Sequence, residues 1–103
     1  MRFLLKISMP VEAANETIRA GTLPKVIGAM LQDLKPEAAY FVAIDGQRTG
    51  LIFFDMQDPS QIPAVAEPAF LAFNAHVELT PAMTIEDLQK AMPGIEQAVQ
   101  KYG

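Results

Sequence analysis

The sequence predicts one α+β domain over residues 1–103, with the element order β-α-β-β-α-β and an additional C-terminal helix. Three observations predict this fold class. They are an alternating apolar strand at the start, an Asp-Gly turn between two apolar runs, and apolar residues at helical spacing between the strands. A chain of 103 residues fits a single domain and is long enough to bury a core.

The first strand is predicted over residues 2–9, where every odd position from Phe3 to Met9 is apolar. Successive side chains of a strand point to opposite faces, so these residues share one face, and Lys6 lies on the other. Pro10 ends the strand because it lacks the backbone N–H that a sheet ladder needs.

Two helical segments are expected before the second strand. The first covers residues 11–20 and ends at Gly21, since glycine readily takes the left-handed conformation that follows many helices. The second begins after Thr22 with Pro24 in its first turn, and the Lys-Pro pair at 35–36 stops it. The pattern leaves open whether the two segments form one kinked helix.

A β-hairpin follows. Residues 38–44 form an apolar run, residues 47–55 form the return strand, and Asp45-Gly46 is the two-residue turn between them. Asp and Gly both tolerate the positive φ that such a turn requires, so the pair is a strong hairpin signal.

The third helical segment follows the Asp-Pro-Ser sequence at 58–60. With Ser60 as its N-cap, it is expected to run to about Phe73 along an apolar stripe. Pro68 lies inside that stripe and should kink the helix or end it early. The competing interpretation starts a strand near Phe70, because apolar residues also alternate from there.

A strand and a helix form the last part of the chain. The strand is expected over residues 75–80, where a proline ends it. Thr84, followed three residues later by an acid, resembles a capping box, so a helix is expected from Ile85. The Pro-Gly pair at 93–94 should interrupt this helix, which resumes to about Tyr102.

This element order is that of the ferredoxin-like plan, the split βαβ sandwich. It predicts a four-stranded antiparallel sheet in the order 4-1-3-2, with the helices on one face. The last strand then lies antiparallel to the first. The apolar odd-numbered residues of both strands should face the helices, and the polar even-numbered residues should face away from them.

The composition excludes several classes of site. The absence of Cys rules out disulfides, thiolate catalysis and Cys-based metal sites, and the single His rules out a multi-His metal site within one subunit. A net charge of −4 with scattered basic residues argues against nucleic-acid binding. We therefore expect no metal, no cofactor and no nucleic acid.

The apolar content bears on location and partners. No apolar stretch approaches the ~18 residues of a membrane span, and the N-terminal apolar run is too short for a signal peptide. The lack of Cys suits a reducing compartment, so a cytoplasmic protein is expected. Half of the residues are hydrophobic and only 19% are charged, so part of the apolar surface is expected to form an interface.

The stretch HVELTPAMT at residues 76–84, together with the Asp-Gly hairpin, resembles the dimeric α/β-barrel superfamily. The likeness is strongest from Val77 to Leu88, where a strand, a Pro-x-Met-Thr segment and an acidic helix start follow one another. Within the superfamily, the chain is similar to small bacterial proteins of a domain family with no assigned function. The resemblance implies a homodimer in which two sheets pack face to face as a barrel.

A polar cluster is predicted on the sheet face that points away from the helices. Lys6 and Ser8 of the first strand share this face with His76 and Glu78 of the last strand. An imidazole beside a carboxylate can transfer protons near neutral pH, so His76 and Glu78 are the candidate catalytic residues. The structural alternative makes His76 a polar interface residue and Lys6–Glu78 a cross-strand ion pair.

Two further residues are candidate ligand contacts. Arg48, just past the hairpin turn, can bind a carboxylate through two hydrogen bonds, or it can be a solvated strand end. Tyr40 can donate a hydrogen bond in a cavity, or it can serve amphipathic packing. The full set of ligand-binding candidates is Lys6, Ser8, Tyr40, Arg48, His76 and Glu78.

These residues favour a small homodimer that binds a small molecule in the cavity between its sheets, and they do not decide whether it is an enzyme. One alternative is a non-catalytic dimerisation module whose sheet face is filled by its partner. Another is a cofactor-independent enzyme, since the superfamily that the chain resembles includes monooxygenases and isomerases besides non-catalytic modules. Fold alone does not choose among these functions.

Overall fold

Four antiparallel strands form one open sheet in the computed structural model, which describes residues 1–103. Across the sheet the strands follow the order β2-β3-β1-β4, which is the predicted 4-1-3-2 order read from the other edge. The α+β class and the four-stranded antiparallel sheet are therefore confirmed. The strands are β1 (Arg2–Met9), β2 (Ala38–Ile44), β3 (Gln47–Asp55) and β4 (His76–Pro81).

Four α-helices connect or follow the strands, and a single 3-10 turn, Pro59–Gln61, precedes the third. The first two are separate helices. Gly21, with φ at 74°, lies between them in the left-handed region where L side chains are strained. The helices are α1 (Val11–Arg19), α2 (Leu23–Leu34), α3 (Ile62–Phe73) and α4 (Ile85–Tyr102).

The start of α3 differs from the sequence prediction. Ser60 is not its N-cap. Instead, the carboxylate of Asp58 accepts a hydrogen bond of 2.9 Å from the backbone N–H of Ser60 and caps the 3-10 turn. The side chain of Gln61 completes the capping box by accepting from the backbone N–H of Asp58. A carboxylate is a stronger acceptor than a hydroxyl, which accounts for the earlier cap.

Helix α3 continues through Pro68 to Phe73, so the predicted end of this helix is confirmed; it does not end early at the proline, and the alternative strand from Phe70 does not form. Proline removes one helical hydrogen bond, at a cost of about 3 kcal/mol. Val65, Ala69 and Phe73 are buried along the same helix, and each large apolar side chain contributes about 1.5–3 kcal/mol on burial. Burial of the apolar stripe therefore offsets the lost hydrogen bond.

Helix α4 also runs without a break, from Ile85 to Tyr102, and the predicted interruption at 93–94 is wrong. The ring of Pro93 fixes φ near the helical value, so it removes one hydrogen bond without ending the helix. The capping box at the start of α4 is confirmed. The Thr84 hydroxyl accepts from the Asp87 N–H at 3.1 Å, and the Asp87 carboxylate accepts from the Thr84 N–H at 3.0 Å.

The core lies between the sheet and helices α1–α3. Leu5 and Ile7 of β1 and Ile52 of β3 are completely buried, as is Phe73 of α3. Met30 of α2 also lies in this cluster. The odd-numbered residues of β1 thus face the helices, and the opposite face of the sheet is left without a covering layer.

The chain has an elongated shape because α4 projects from the rest. The Cα radius of gyration is 16.9 Å, against about 13 Å for a compact domain of this length. The longest axis measures 57 Å, and every residue of α4 is exposed. None of the helices combines the length and the apolar character needed to cross a membrane.

Candidate functional site

The uncovered side of the sheet, which we call the open face, consists of three rows of side chains that cross all four strands. Its polar residues cluster on β1 and β4, and its apolar residues lie mainly on β2 and β3. From β2 to β4, the rows are Ala38, Phe53, Leu4 and Thr80; Tyr40, Leu51, Lys6 and Glu78; and Val42, Thr49, Ser8 and His76.

The middle row contains an ion pair. Lys6 and Glu78 are directly opposite each other on β1 and β4, and Lys6 Nζ lies 3.5 Å from Glu78 Oε2. The Lys6 side chain is 29% exposed and the Glu78 side chain 72%. Water therefore screens the attraction between the two charges. Lys6 is the more buried of the two side chains, and the Glu78 carboxylate is mostly in solvent.

A shallow depression lies beside this pair. It has a volume of about 220 Å³ and is lined by Leu4, Lys6, Glu78, Leu79 and Thr80. Binding pockets for drug-sized ligands usually measure about 300–1,000 Å³. One chain thus supplies a mixed polar and apolar wall for a small ligand, and a second surface is needed to enclose it.

His76 lies at the start of β4, directly opposite Ser8, and its side chain is exposed. It shares the open face with Glu78 but does not line the depression. Ser8 is half-buried in the same row. The structure therefore brings Lys6 and Glu78 together, and it places Ser8 and His76 one row away.

Tyr40 belongs to the open face and to the same row as Lys6, with Leu51 between them. Strands in a sheet are spaced about 4.8 Å apart, so Tyr40 lies about 10 Å from Lys6 along that row. Its side chain is 60% exposed. Tyr40 thus belongs to the apolar side of the open face, on the edge strand β2, and its phenol can donate a hydrogen bond there.

Arg48 is not part of this group. It pairs with Met9, a buried core residue, so its side chain lies on the face of the sheet that carries the helices. It lines an apolar groove of about 350 Å³ at the end of the helical layer, together with Met9, Ile18, Leu23, Pro24, Ile27 and Phe41. Alternate residues of a strand share a face, so the apolar Ile52 of β3 would have assigned Arg48 to this face.

A second group of charges, at the opposite end of β1, was not found from the sequence. The N-terminal amine lies 2.6 Å from an Asp55 carboxylate oxygen, and Arg2 forms a two-contact ion pair with Glu37. The hydrogen bond from the amine holds the pKa of Asp55 below its usual range. The hydrogen bond from Arg2 does the same for the pKa of Glu37. These partners lie far apart in the sequence, so no local pattern indicates them.

Chemically, the open face offers both polar and apolar contacts. No three potential metal-binding side chains of His, Asp or Glu lie together anywhere in the chain. The middle row offers an ammonium, a carboxylate and a phenol to a ligand, over an apolar surface made by Leu4 and Leu51. The residue that sequence reasoning overlooked here is Leu51, although its parity with Phe53 marks it as an open-face residue.

Comparisons of this chain with family models, with curated proteins and with solved structures found no significant match.

Proposed function

We propose that the protein is a homodimer of the dimeric α/β-barrel type, in which two open faces pack together and enclose a site for a small molecule. The supporting observation is the open face itself. It combines exposed apolar residues, Tyr40 and Val42, with the Lys6–Glu78 pair, and no element of the same chain covers it.

The open face is large enough to be an interaction surface, but it supplies only part of a complete interface. Four strands at about 4.8 Å spacing and six residues at about 3.3 Å rise give a surface of roughly 400 Å² in outline. Exposed apolar patches of about 300–600 Å² on a single chain often mark interaction sites. Packing against an identical face would remove Tyr40, Val42 and Leu51 from water.

The site would lie where the two depressions meet. Each copy contributes about 220 Å³, so the joined space falls within the usual range for small-molecule sites. Because Glu78 already pairs with Lys6, the proposed ligand is a polar molecule without a large net charge. It would exchange hydrogen bonds with the two side chains and place its apolar part on Leu4.

The dimer is tested by comparing Val42→Glu with Val11→Glu. Both valines have similar exposure, 40% and 44%, but Val42 lies on the open face and Val11 on α1. We expect Val42→Glu to be a monomer by light scattering, because packing would bury its charge, and Val11→Glu to keep the mass of the natural protein. A natural protein that is monomeric at all accessible concentrations would contradict the proposal.

The ligand site is tested by nuclear magnetic resonance with a set of small neutral alcohols, phenols and amides. Compounds that bind should shift the backbone signals of Lys6, Glu78 and Thr80. The Lys6→Met substitution should weaken the affinity for these compounds at least tenfold. If the protein is a dimer and no compound shifts these signals, it is a dimerisation module whose sheet faces fill each other.

A further inference from the structure

Helix α4 has an apolar stripe that nothing in the chain covers. No residue of α4 is buried, and its six large apolar side chains are between 39% and 80% exposed. Their sequence intervals are three, four, three, four and three residues. We call this stripe the α4 seam, and it consists of Ile85, Leu88, Met92, Ile95, Val99 and Tyr102.

The intervals of the α4 seam point to a helix as its partner. Apolar residues that alternate at intervals of three and four form the stripe by which two helices pack side by side. Pro93 and Gly94 do not interrupt this stripe, because each lies about 130° around the helix from its centre.

We propose that α4 pairs with α4 of a second copy of this chain, with the two helices antiparallel. An identical helix has the same length and the same intervals, so all six positions of the α4 seam find a partner. In the antiparallel arrangement centred between Met92 and Ile95, three kinds of layer form. Ile85 then meets Tyr102, Leu88 meets Val99, and Met92 meets Ile95.

Charge favours the antiparallel direction over the parallel one. The first turn of α4 carries Glu86 and Asp87, and the last turn carries Lys101. Antiparallel helices place the acidic turn of one copy level with Lys101 of the other, and they also oppose the two helix dipoles. A parallel pair would place the two acidic turns side by side.

Small residues allow the helices to approach closely. Ala91 and Ala98 flank the α4 seam on one side, and in an antiparallel pair this flank faces the same flank of the other copy. On the other flank, Gln89 comes near Glu96 of the other helix, where an amide can donate to a carboxylate. Neither flank places like charges in contact.

The area of this contact limits its strength. An 18-residue helix is about 27 Å long and presents a strip about 10 Å wide, or roughly 270 Å² in outline. A stable interface takes about 800 Å² from each partner. The α4 pair on its own is therefore a weak association. It uses no residue of the open face, so it goes beyond the proposed function and is tested separately from it.

The first test uses introduced thiols, since the natural chain has no Cys. Helix axes about 8–10 Å apart bring facing Cα atoms within the range of a disulfide. On oxidation, a mixture of Leu88→Cys and Val99→Cys chains should cross-link at least fivefold more than either chain alone. In an antiparallel pair, residue 88 lies about 16 Å along the axis from its own counterpart.

Two outcomes would overturn this proposal. Efficient cross-linking of Leu88→Cys with itself would show a parallel pair, and equal, weak cross-linking in every sample would show that α4 does not pair with α4. Gln97→Cys, on the outer face of the helix, is the matched control and should not cross-link above background.

The second test measures self-association by analytical ultracentrifugation. Ile95→Glu adds a charge within the α4 seam, and Gln97→Glu adds the same charge on the opposite face. We expect Ile95→Glu to weaken the α4-dependent association at least tenfold and Gln97→Glu to change it less than twofold. Equal effects would refute the pairing. Val42→Glu disrupts only the open face, so its result separates failure of that dimer from failure of the α4 pair.

Discussion

Lys6 and Glu78 illustrate how a single pair of residues links sequence, register and site. Both occupy even-numbered positions of strands whose odd positions are apolar, so parity assigns them to the same face. The register then places them directly opposite each other. The free energy that the pair contributes to folding depends on how strongly water screens the two charges, and Glu78 is mostly exposed.

We expect the ion pair to contribute little to folding. A double-mutant cycle with Lys6→Met and Glu78→Gln, measured by urea unfolding at concentrations where the chain is monomeric, should give a coupling free energy of about 0.5 kcal/mol or less. A coupling above about 1.5 kcal/mol would show that the pair is shielded from water, as it would be inside a closed interface.

Phe73 and Phe70 allow a matched comparison within α3. Phe73 is completely buried and Phe70 is 43% exposed. Phe73→Ala should lower the free energy of unfolding by about 3–5 kcal/mol because it leaves a cavity in the core. Phe70→Ala should lower it by about 1 kcal/mol or less. Urea unfolding monitored by circular dichroism measures both, and similar losses would contradict the described packing.

At the scale of elements, the start of α4 was more predictable than the interiors of α3 and α4. The capping box at Thr84 depends on residues three positions apart, so the sequence shows it directly. The continuity of α3 through Pro68 depends on burial against strands that are distant in the sequence. A rule based on the proline alone does not include this free energy of burial.

The capping box makes the start of α4 sensitive to acid. Hydrogen bonds from the Thr84 N–H hold the pKa of Asp87 below its ordinary value of 3.8. A carboxylate with a lowered pKa stabilises the folded form fully above that ordinary value, and the contribution is lost as the pH falls through the lower folded value. We therefore expect α4 to lose helical signal only below about pH 4.

Asp87→Asn is the control for this pH dependence. An amide still accepts a hydrogen bond at the helix start, but it does not titrate. Circular dichroism at 222 nm, recorded from pH 6 to pH 2, should show a smaller loss for Asp87→Asn than for the natural chain. An equal loss would mean that other carboxylates control the acid response.

At the scale of the whole molecule, the sheet with helices α1–α3, which we call the body, is separate from α4. The separation concerns the free energy of folding as well as the shape. The buried residues lie in β1, β3, α1–α3 and the segments that adjoin them, and none lies in α4. The helix is attached through Ala82, whose N–H donates to the carbonyl of Arg2 at 3.0 Å. The stability of the body should therefore not depend on α4.

Deleting residues 85–103 tests this separation. The shortened chain should keep the free energy of unfolding of the body within about 0.5 kcal/mol, because the deletion exposes no core residue. Urea unfolding followed by the near-ultraviolet signal of the tyrosine and phenylalanine residues measures it under conditions where the chain is monomeric. A loss of several kcal/mol would show that α4 packs on the body.

The sequence by itself determined the strands, the hairpin turn, the capped start of α4 and the face to which Lys6, Ser8, His76 and Glu78 belong. All of these follow from spacing within a few residues, where backbone geometry allows few alternatives. The tertiary structure decided the rest. It joined Tyr40 and Lys6 in one row through Leu51 and carried α3 through its proline. These outcomes depend on register and burial between segments that are distant in the chain, and such contacts contribute free energy only once the fold has brought them together.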